Sequence, residues 1–260
     1  MEEKEIETIA HQLLKAHEMG QSIPPITESY PTLGIDDAYQ IQFHLLEKKL
    51  KKGEKLIGWK VGVTSQAVME QLGMFEPIFG HLMDSSICKE GAPIPFNSFI
   101  QPGIEPEIAF RIASNLKGPI TQVEKVLEST DAVFPAIEIV DSRIKDWKIK
   151  PPDAIADNAL HYGILVGSRG ISPKTIDFCK EGVQVEINGR VVASGLASAV
   201  LGTPINSVVI LTNKLSEFGI SLRPGAIVMT GSITQFLRVG RGDEVRVIFS
   251  TLGVLEARFT

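Results

Sequence analysis

Cysteine is scarce in this chain of 260 residues: there are two, Cys88 and Cys179, far apart and with no Cys-x-x-Cys spacing. That argues against a zinc ribbon or a disulfide scaffold and leaves both thiols reduced and inert by default. An excess of positive charge is also missing, with 26 Lys and Arg against 31 Asp and Glu and a net charge of −5. The one basic run, EKKLKKGEK, reads as a solvated helix tail whose cations complement the C-terminal end. Nucleic acid and an anionic membrane surface are therefore not expected as partners, and a small anion has to be drawn by a local site. No stretch approaches the roughly 20 apolar residues that span a bilayer, and MEEKEIETIA has no apolar signal core, so the expected location is cytoplasmic. Two motif families are absent as well. Val239-Gly240-Arg241-Gly242 and Met229-Thr230-Gly231-Ser232 lack the strand and helix context of a dinucleotide loop, and Ser168, Ser194, Ser198 and Ser232 have no nucleophile elbow around them.

What is present suits a substantial core, since 43% of the residues are hydrophobic. Residues 2 to 19 carry Ile6, Ile9, Ala10, Leu13 and Leu14 at helical spacing and stop at Gly20, which predicts an amphipathic helix with His11 and His17 in solvent. QSIPPITESYPT should be extended, after which Asp36 or Asp37 opens a second helix that Gly53 closes. Leu56 to Val63 reads as a strand with Lys60 inside it, where a snorkelling edge lysine is the plain explanation. Thr64 is placed to cap a short helix ending at Gly73. FEPIFGHLMDSS and CKEGAPIPFNS look like turn-rich segments that bend around a pocket. Thr121 and Glu124 have capping-box spacing, and SRIKDWKIKPPDAIADNALHYG reads as a long irregular loop of the kind that carries function or forms a lid. From Gly182 onward the pattern is mainly β, with an Asn-Gly hairpin between VQVEI and RVVAS, a helix over Val208 to Phe218, and strands in AIVMTGS, EVRVIF and GVLEARF.

The chemistry points to carboxylates. If Gly103-Ile104-Glu105-Pro106-Glu107-Ile108 is extended, Glu105 and Glu107 share a face while Ile104 and Ile108 point the other way. Glu138 stands alone in the apolar run Ala136 to Val140. Neither Phe96 to Phe110 nor Val133 to Val140 contains a Lys, Arg or His. Buried carboxylates with no cation nearby cost several kcal/mol or stay protonated, and a hard divalent ion relieves three at once while leaving water positions open. Spacing alone favours a plainer reading, with Glu105 and Glu107 on the wet face of an edge strand and Glu138 against a distant Arg. His81 and His161 read as satisfied structural histidines.

Family likeness changes that balance. IGWKVGVTS, IEPEIAF, PAIEIVDSRIKDWK, ADNA and VLGTP, in this order and at these separations, resemble the 2-keto-4-pentenoate hydratase and 4-oxalocrotonate decarboxylase family of the fumarylacetoacetate hydrolase superfamily. The likeness covers nearly the whole chain. It implies an α+β fold, a fumarylacetoacetate-hydrolase-like mixed β-sheet or β-roll body with residues 1–55 as a mainly helical N-terminal portion, all within one domain over 1–260. It also implies a homo-oligomer and association with the sister hydratase or decarboxylase. A purely structural subunit is the non-enzymatic alternative, against which the intact carboxylates speak.

The same resemblance implies Mg²⁺ or Mn²⁺ held by Glu105, Glu107 and Glu138, with Lys60 as the catalytic cation beside a small 2-oxo or 2-hydroxydienoic acid. Ile78, Asn158, Gly231 and Ser232 are the implied substrate contacts. Hydratases of the family often show Pro-Asp-Phe-Gly where this chain has Pro77-Ile78-Phe79-Gly80. Ile78 can neither move a proton nor hold water, so decarboxylation of 2-oxohex-3-enedioate to 2-hydroxypenta-2,4-dienoate is the expected reaction. Ser142 to Trp147 and Gln101-Pro102 look more like the hydratase branch, which adds water to 2-hydroxypenta-2,4-dienoate. A C–C hydrolase finds no supporting His motif ahead of the glutamates.

Overall fold

Alternating apolar and polar positions at helical spacing build α1 over Glu3–Met19, burying Ile6, Ile9, Ala10, Leu13 and Leu14 and ending at Gly20 with φ +60°. The computed structural model describes residues 1–65, 69–70 and 73–260; the helix expected from Thr64 to Gly73 lies partly outside the described residues. His17 is not solvated as expected. Its ring lies 5.0 Å from that of Tyr162 and burial drives its pKa down to about 2, because α1 turns this side inward. The Pro-rich link is not wholly extended either. It holds a short helix, α2 over Ile26–Ser29, which Asp153 fixes by accepting from Thr27 N at 3.0 Å and Thr27 Oγ1 at 2.7 Å. The next helix, α3 over Ile35–Lys51, buries Ala38, Ile41, Leu45 and Leu46. Its Gln42 Nε2 donates to Phe79 O and Ile155 O, tying the helix to the chain beneath it.

The strands are β1 (Leu56–Gly62), β2 (Ile78–Met83), β3 (Ile87–Cys88), β4 (Pro93–Ile94), β5 (Gly103–Ile112), β6 (Thr130–Val140), β7 (His161–Val166), β8 (Gly182–Ile187), β9 (Arg190–Leu196), β10 (Ile227–Met229), β11 (Leu237–Arg238), β12 (Glu244–Phe249) and β13 (Gly253–Phe259). They make an eight-stranded mixed sheet in the order β2-β1-β10-β5-β6-β7-β3, with β11 also on β5, and a five-stranded sheet in the order β4-β13-β12-β8-β9. Asn188 and Gly189 turn the β8–β9 hairpin, both at positive φ as the sequence predicts. The central pair is β5 with β6, antiparallel from Gly103↔Val140 to Ile112↔Thr130. Because β5 lies between β10 and β6, it is not the wet edge strand of the plainer reading. Nor is β1 an edge: it sits between β2 and β10.

Three further expectations are corrected. FEPIFGHLM contributes β2, every residue of which is buried, because Ile78 to Met83 has apolar neighbours on both faces. Gln122, not Thr121, occupies the cap position of the helix Val123–Glu128, and no side-chain cap bond forms there. The stretch from Ser142 to Gly163 is no loose lid. It contains the helix Pro151–Ala156, enters β7 at His161, and buries Ser142, Arg143 and every residue from Asp153 to Ala159. Arg143 fastens it, with Nε donating to Asp157 Oδ1 at 2.6 Å and Nη2 to Asp157 O at 2.8 Å.

Candidate metal centre

The period of two along β5 puts Glu105 and Glu107 on one face, and the register sets Glu138 of β6 directly opposite Glu105. One carboxylate oxygen from each of the three lies within 4.8 Å of the others. Glu107 and Glu138 are fully buried. Glu105 is closely surrounded by protein yet keeps a partly exposed surface, so the cluster opens on its side.

The cations that local sequence does not offer come from distant strands. Lys60 of β1 brings Nζ to 3.1 Å from Glu138 Oε2 and donates a hydrogen bond to Ala159 O at 3.0 Å. On the other oxygen, His161 Nδ1 lies 2.8 Å from Glu138 Oε1, and its Nε2 lies 3.2 Å from Ser86 Oγ. Glu107 Oε2 accepts from Gly231 N at 2.7 Å. Among the described residues one buried oxygen, Glu107 Oε1, has no hydrogen-bond partner, while Glu138 Oε2 has the Lys60 ammonium as its ion-pair partner.

Electrostatics divides the three carboxyls. Burial raises Glu105 to about 7, with Lys60 opposing. Burial, and then the charge of Glu138, push Glu107 well above the ordinary range. Burial would raise Glu138 too, but Lys60 and His161 outweigh it and hold its pKa below the usual value. For Lys60 the balance runs the same way, the three carboxylates overcoming desolvation to raise its pKa. The metal-free centre is therefore a Lys60–Glu138 ion pair beside two carboxyls that retain protons readily. Three converging carboxylates, with Glu107 Oε1 left without a partner among the described residues, fit a hard divalent cation, whose charge would displace those protons. Glu105, Glu107 and Glu138 are the residues that would hold it.

The remaining candidates are spread around this face. Ile78 is buried opposite Gly62. A Cβ on Gly62 would stand 3.1 Å from Lys60 Nζ and 3.6 Å from Ile78 Cγ1, so the two side chains share the space that this glycine leaves. Gly231 has φ +104°, and a Cβ there would meet Thr64 Oγ1 at 2.3 Å; glycine lets its N–H reach Glu107. Ser232 Oγ donates to Thr234 O. Both polar side-chain atoms of Asn158 are committed to β2, Oδ1 accepting from His81 N and Nδ2 donating to His81 O. Asn158, Ala159 and Leu160 all have positive φ, at 54°, 50° and 62°. This left-handed run costs roughly 1–2 kcal/mol per residue, and it presents Ala159 O to Lys60 immediately before His161 meets Glu138. Sequence reasoning missed that link, for which Asn158, a residue that tolerates such backbone, was the available signal. A cleft lined by Ala16, Pro24, Ile26 and Tyr30 lies apart from this face.

Residues 58–260 match the family model described as fumarylacetoacetate (FAA) hydrolase C-terminal. A 2-hydroxyhexa-2,4-dienoate hydratase of Comamonas testosteroni is 37% identical over 257 residues, covering 98% of this chain and 97% of the relative. A 4-oxalocrotonate decarboxylase of Pseudomonas putida is 35% identical over 256 residues, covering 98% and 97%. Among solved structures, 4-oxalocrotonate decarboxylase from Pseudomonas putida G7, complexed with magnesium and adipate, superposes with a TM-score of 0.97 at 34% identity, covering 100% of this chain and 99% of that one.

Proposed function

Since this chain belongs to the 2-keto-4-pentenoate hydratase and 4-oxalocrotonate decarboxylase family, within the fumarylacetoacetate hydrolase superfamily, we propose that it is a divalent-metal-dependent lyase that decarboxylates 2-oxohex-3-enedioate to 2-hydroxypenta-2,4-dienoate. The observation that carries the choice is Ile78. It is 3% exposed and shares the space beside Lys60, where a hydratase needs a group that moves a proton or holds water. The magnesium and adipate in the neighbouring decarboxylase add support, adipate being a saturated diacid of the same carbon count as the proposed substrate.

When bound at Glu105, Glu107 and Glu138, the cation supplies Lewis acidity for the 1-carboxylate and the 2-oxo oxygen. The chain's own groups do the rest. Lys60, charged and buried, adds positive potential where negative charge develops on the 2-oxygen, in a setting of low dielectric that strengthens the effect. The bond from C5 to the distal carboxylate breaks, CO₂ leaves, and the electron pair moves through the conjugated chain to the 2-oxygen. Protonation there gives the dienol, a role that falls to Lys60. Ile78 keeps water from the chain as this happens. Gly231 N–H fixes Glu107, and Ser232 follows it at the same turn.

Hydration of 2-hydroxypenta-2,4-dienoate is the second reading, favoured by the hydratase relatives, one from Pseudomonas putida being 39% identical over 222 residues. Chelator-stripped protein, assayed with and without Mg²⁺ or Mn²⁺, separates the two. Metal-dependent CO₂ release from 2-oxohex-3-enedioate without consumption of the dienoate is the expected result, and dienoate hydration alone would transfer the assignment to the hydratase. Ile78→Asp should shift the balance toward hydration; unaltered clean decarboxylation by that variant would remove Ile78 from the argument.

A further inference from the structure

The register of β11 on β5 sets Leu237 opposite Ile104 and Arg238 opposite Gly103. Gly103 is two residues from Glu105, so its position, and with it Arg238, faces the carboxylate side of the sheet. A second observation agrees. A Cβ built on Gly103 would lie 2.2 Å from Phe236 Cε2 and Cζ, so the Phe236 ring occupies this glycine's side-chain space on the same face. Phe236 packs against Trp147 with ring centroids 4.8 Å apart, and the Arg238 guanidinium lies 5.8 Å from the Trp147 ring and 5.9 Å from that of Phe236. Trp147 is itself held in a tight turn, with Asp146 and Trp147 both at positive φ.

Among the described residues, two donors in this cluster have no acceptor. Arg238 forms no ion pair and donates no hydrogen bond among the described residues, and Trp147 Nε1 is buried without a partner. An orphaned buried donor beside an unpaired guanidinium calls for an anion with planar acceptor geometry. We propose that Arg238 and Trp147 form a carboxylate subsite on the open, Glu105 side of the triad, which reads the far carboxylate of a dicarboxylic 2-oxo acid. Strand rise puts Gly103 about 7 Å from Glu105, comparable to the reach of an extended hexenedioate from its metal-chelating end. This inference rests on the function proposed above and names its specificity element.

The position of Arg238 also limits how tightly it should hold. The far carboxylate leaves as neutral CO₂, so a strong ion pair would favour substrate over transition state. Arg238 is exposed and backed by aromatic rings, which suits orientation and capture in water better than a dry, tight clamp.

The test is calorimetric titration of the Mg²⁺-loaded protein with adipate and with hexanoate, which has the same carbon count and one carboxylate fewer. The unsubstituted protein should prefer adipate by about tenfold or more, as a charge-assisted contact requires. Arg238→Gln should lose that preference while keeping its Mg²⁺ affinity and melting temperature, and Trp147→Phe, which keeps a ring and removes the N–H, should lose part of it. With 2-oxohex-3-enedioate, Arg238→Gln should raise KM more than it lowers kcat. An adipate preference that survives Arg238→Gln, or none in the unsubstituted protein, overturns the subsite. If adipate preference depends on Arg238 but no CO₂ is released from the enedioate, the subsite stands and the decarboxylase assignment falls.

Discussion

Lys60 Nζ stands 3.1 Å from Glu138 Oε2 with both side chains shut away from solvent. Neither charge could be buried alone without a large desolvation cost, and each is the other's main compensation. The pair is also placed where a divalent ion would bring further positive charge to Glu138. Stability of the metal-free protein and occupation of the proposed metal centre would therefore be linked through one carboxylate.

Lys60→Met removes the cation and keeps the volume. In the metal-free protein it should cost about 3–5 kcal/mol, the penalty for stranding one member of a buried pair. Saturating Mg²⁺ should restore part of that loss by compensating Glu138 from the other side. Urea melts with and without Mg²⁺ check this; an equal loss in both conditions would mean that the ion does not act on Glu138.

Glu107→Gln should behave in the opposite way. The Gly231 N–H can still donate to the amide oxygen, and a carboxyl that already retains a proton is replaced by a neutral group of similar shape. Metal-free stability should change by less than about 1 kcal/mol, while the rise in melting temperature on adding Mg²⁺ and the turnover are both lost. A variant that binds Mg²⁺ as before would remove Glu107 from the ligand set.

The raised carboxyls set a pH dependence whose sign is fixed. Glu105 releases its proton near pH 7 when folded and near 4.3 when unfolded. Between those values the folded chain holds a proton that the unfolded chain has lost, so the contribution of Glu105 to metal-free stability falls as pH rises through that window. Metal binding displaces the proton, so Mg²⁺ affinity should rise over the same window. Calorimetry at pH 5.5 and 8, in buffers of different ionisation enthalpy, should show weaker binding and more proton release at the lower pH. Affinity independent of pH would mean that the carboxyls are already ionised.

The left-handed run offers a test on the backbone. Ala159 has φ 50°, whereas Ala154 lies in a regular helix, and the two are equally buried. Changing either to Gly deletes one buried methyl, but only at 159 does it relieve backbone strain. Ala159→Gly should thus be more stable than Ala154→Gly by about 1–2 kcal/mol. It should also keep the Lys60 contact, which is made by a main-chain carbonyl. Equal destabilisation would show that the turn is not strained.

Much of the fold and part of the site could be read from the chain itself. Period-two alternation gave the shared face of Glu105 and Glu107, helical spacing gave α1 and α3, and Asn188-Gly189 gave the hairpin, since each of these is decided within a few residues. What escaped depends on contacts between distant segments. Lys60 looks like an edge lysine until β2 and β10 flank it, and His17 looks solvated until Tyr162 meets it. His161 sits on Glu138 because β6 and β7 pair at that height, which neither strand's composition discloses. The segment from Ser142 to Gly163 seemed loose because its order comes from Arg143, Asp153 and Asp157 bonding across it and to α2.

The pairing of Glu105 with Glu138 has a bearing on how the chain reaches its working state. A slip of one residue between β5 and β6 would send Glu138 to the far side of the sheet and Ile139 or Ile137 to the carboxylate side. It would also take from Lys60 its main counter-ion and bury the Glu138 charge away from it. The buried charges thus act as a checkpoint in folding: a molecule that has threaded its two central strands wrongly is penalised by the same Lys60–Glu138 pair that steadies the correctly paired one.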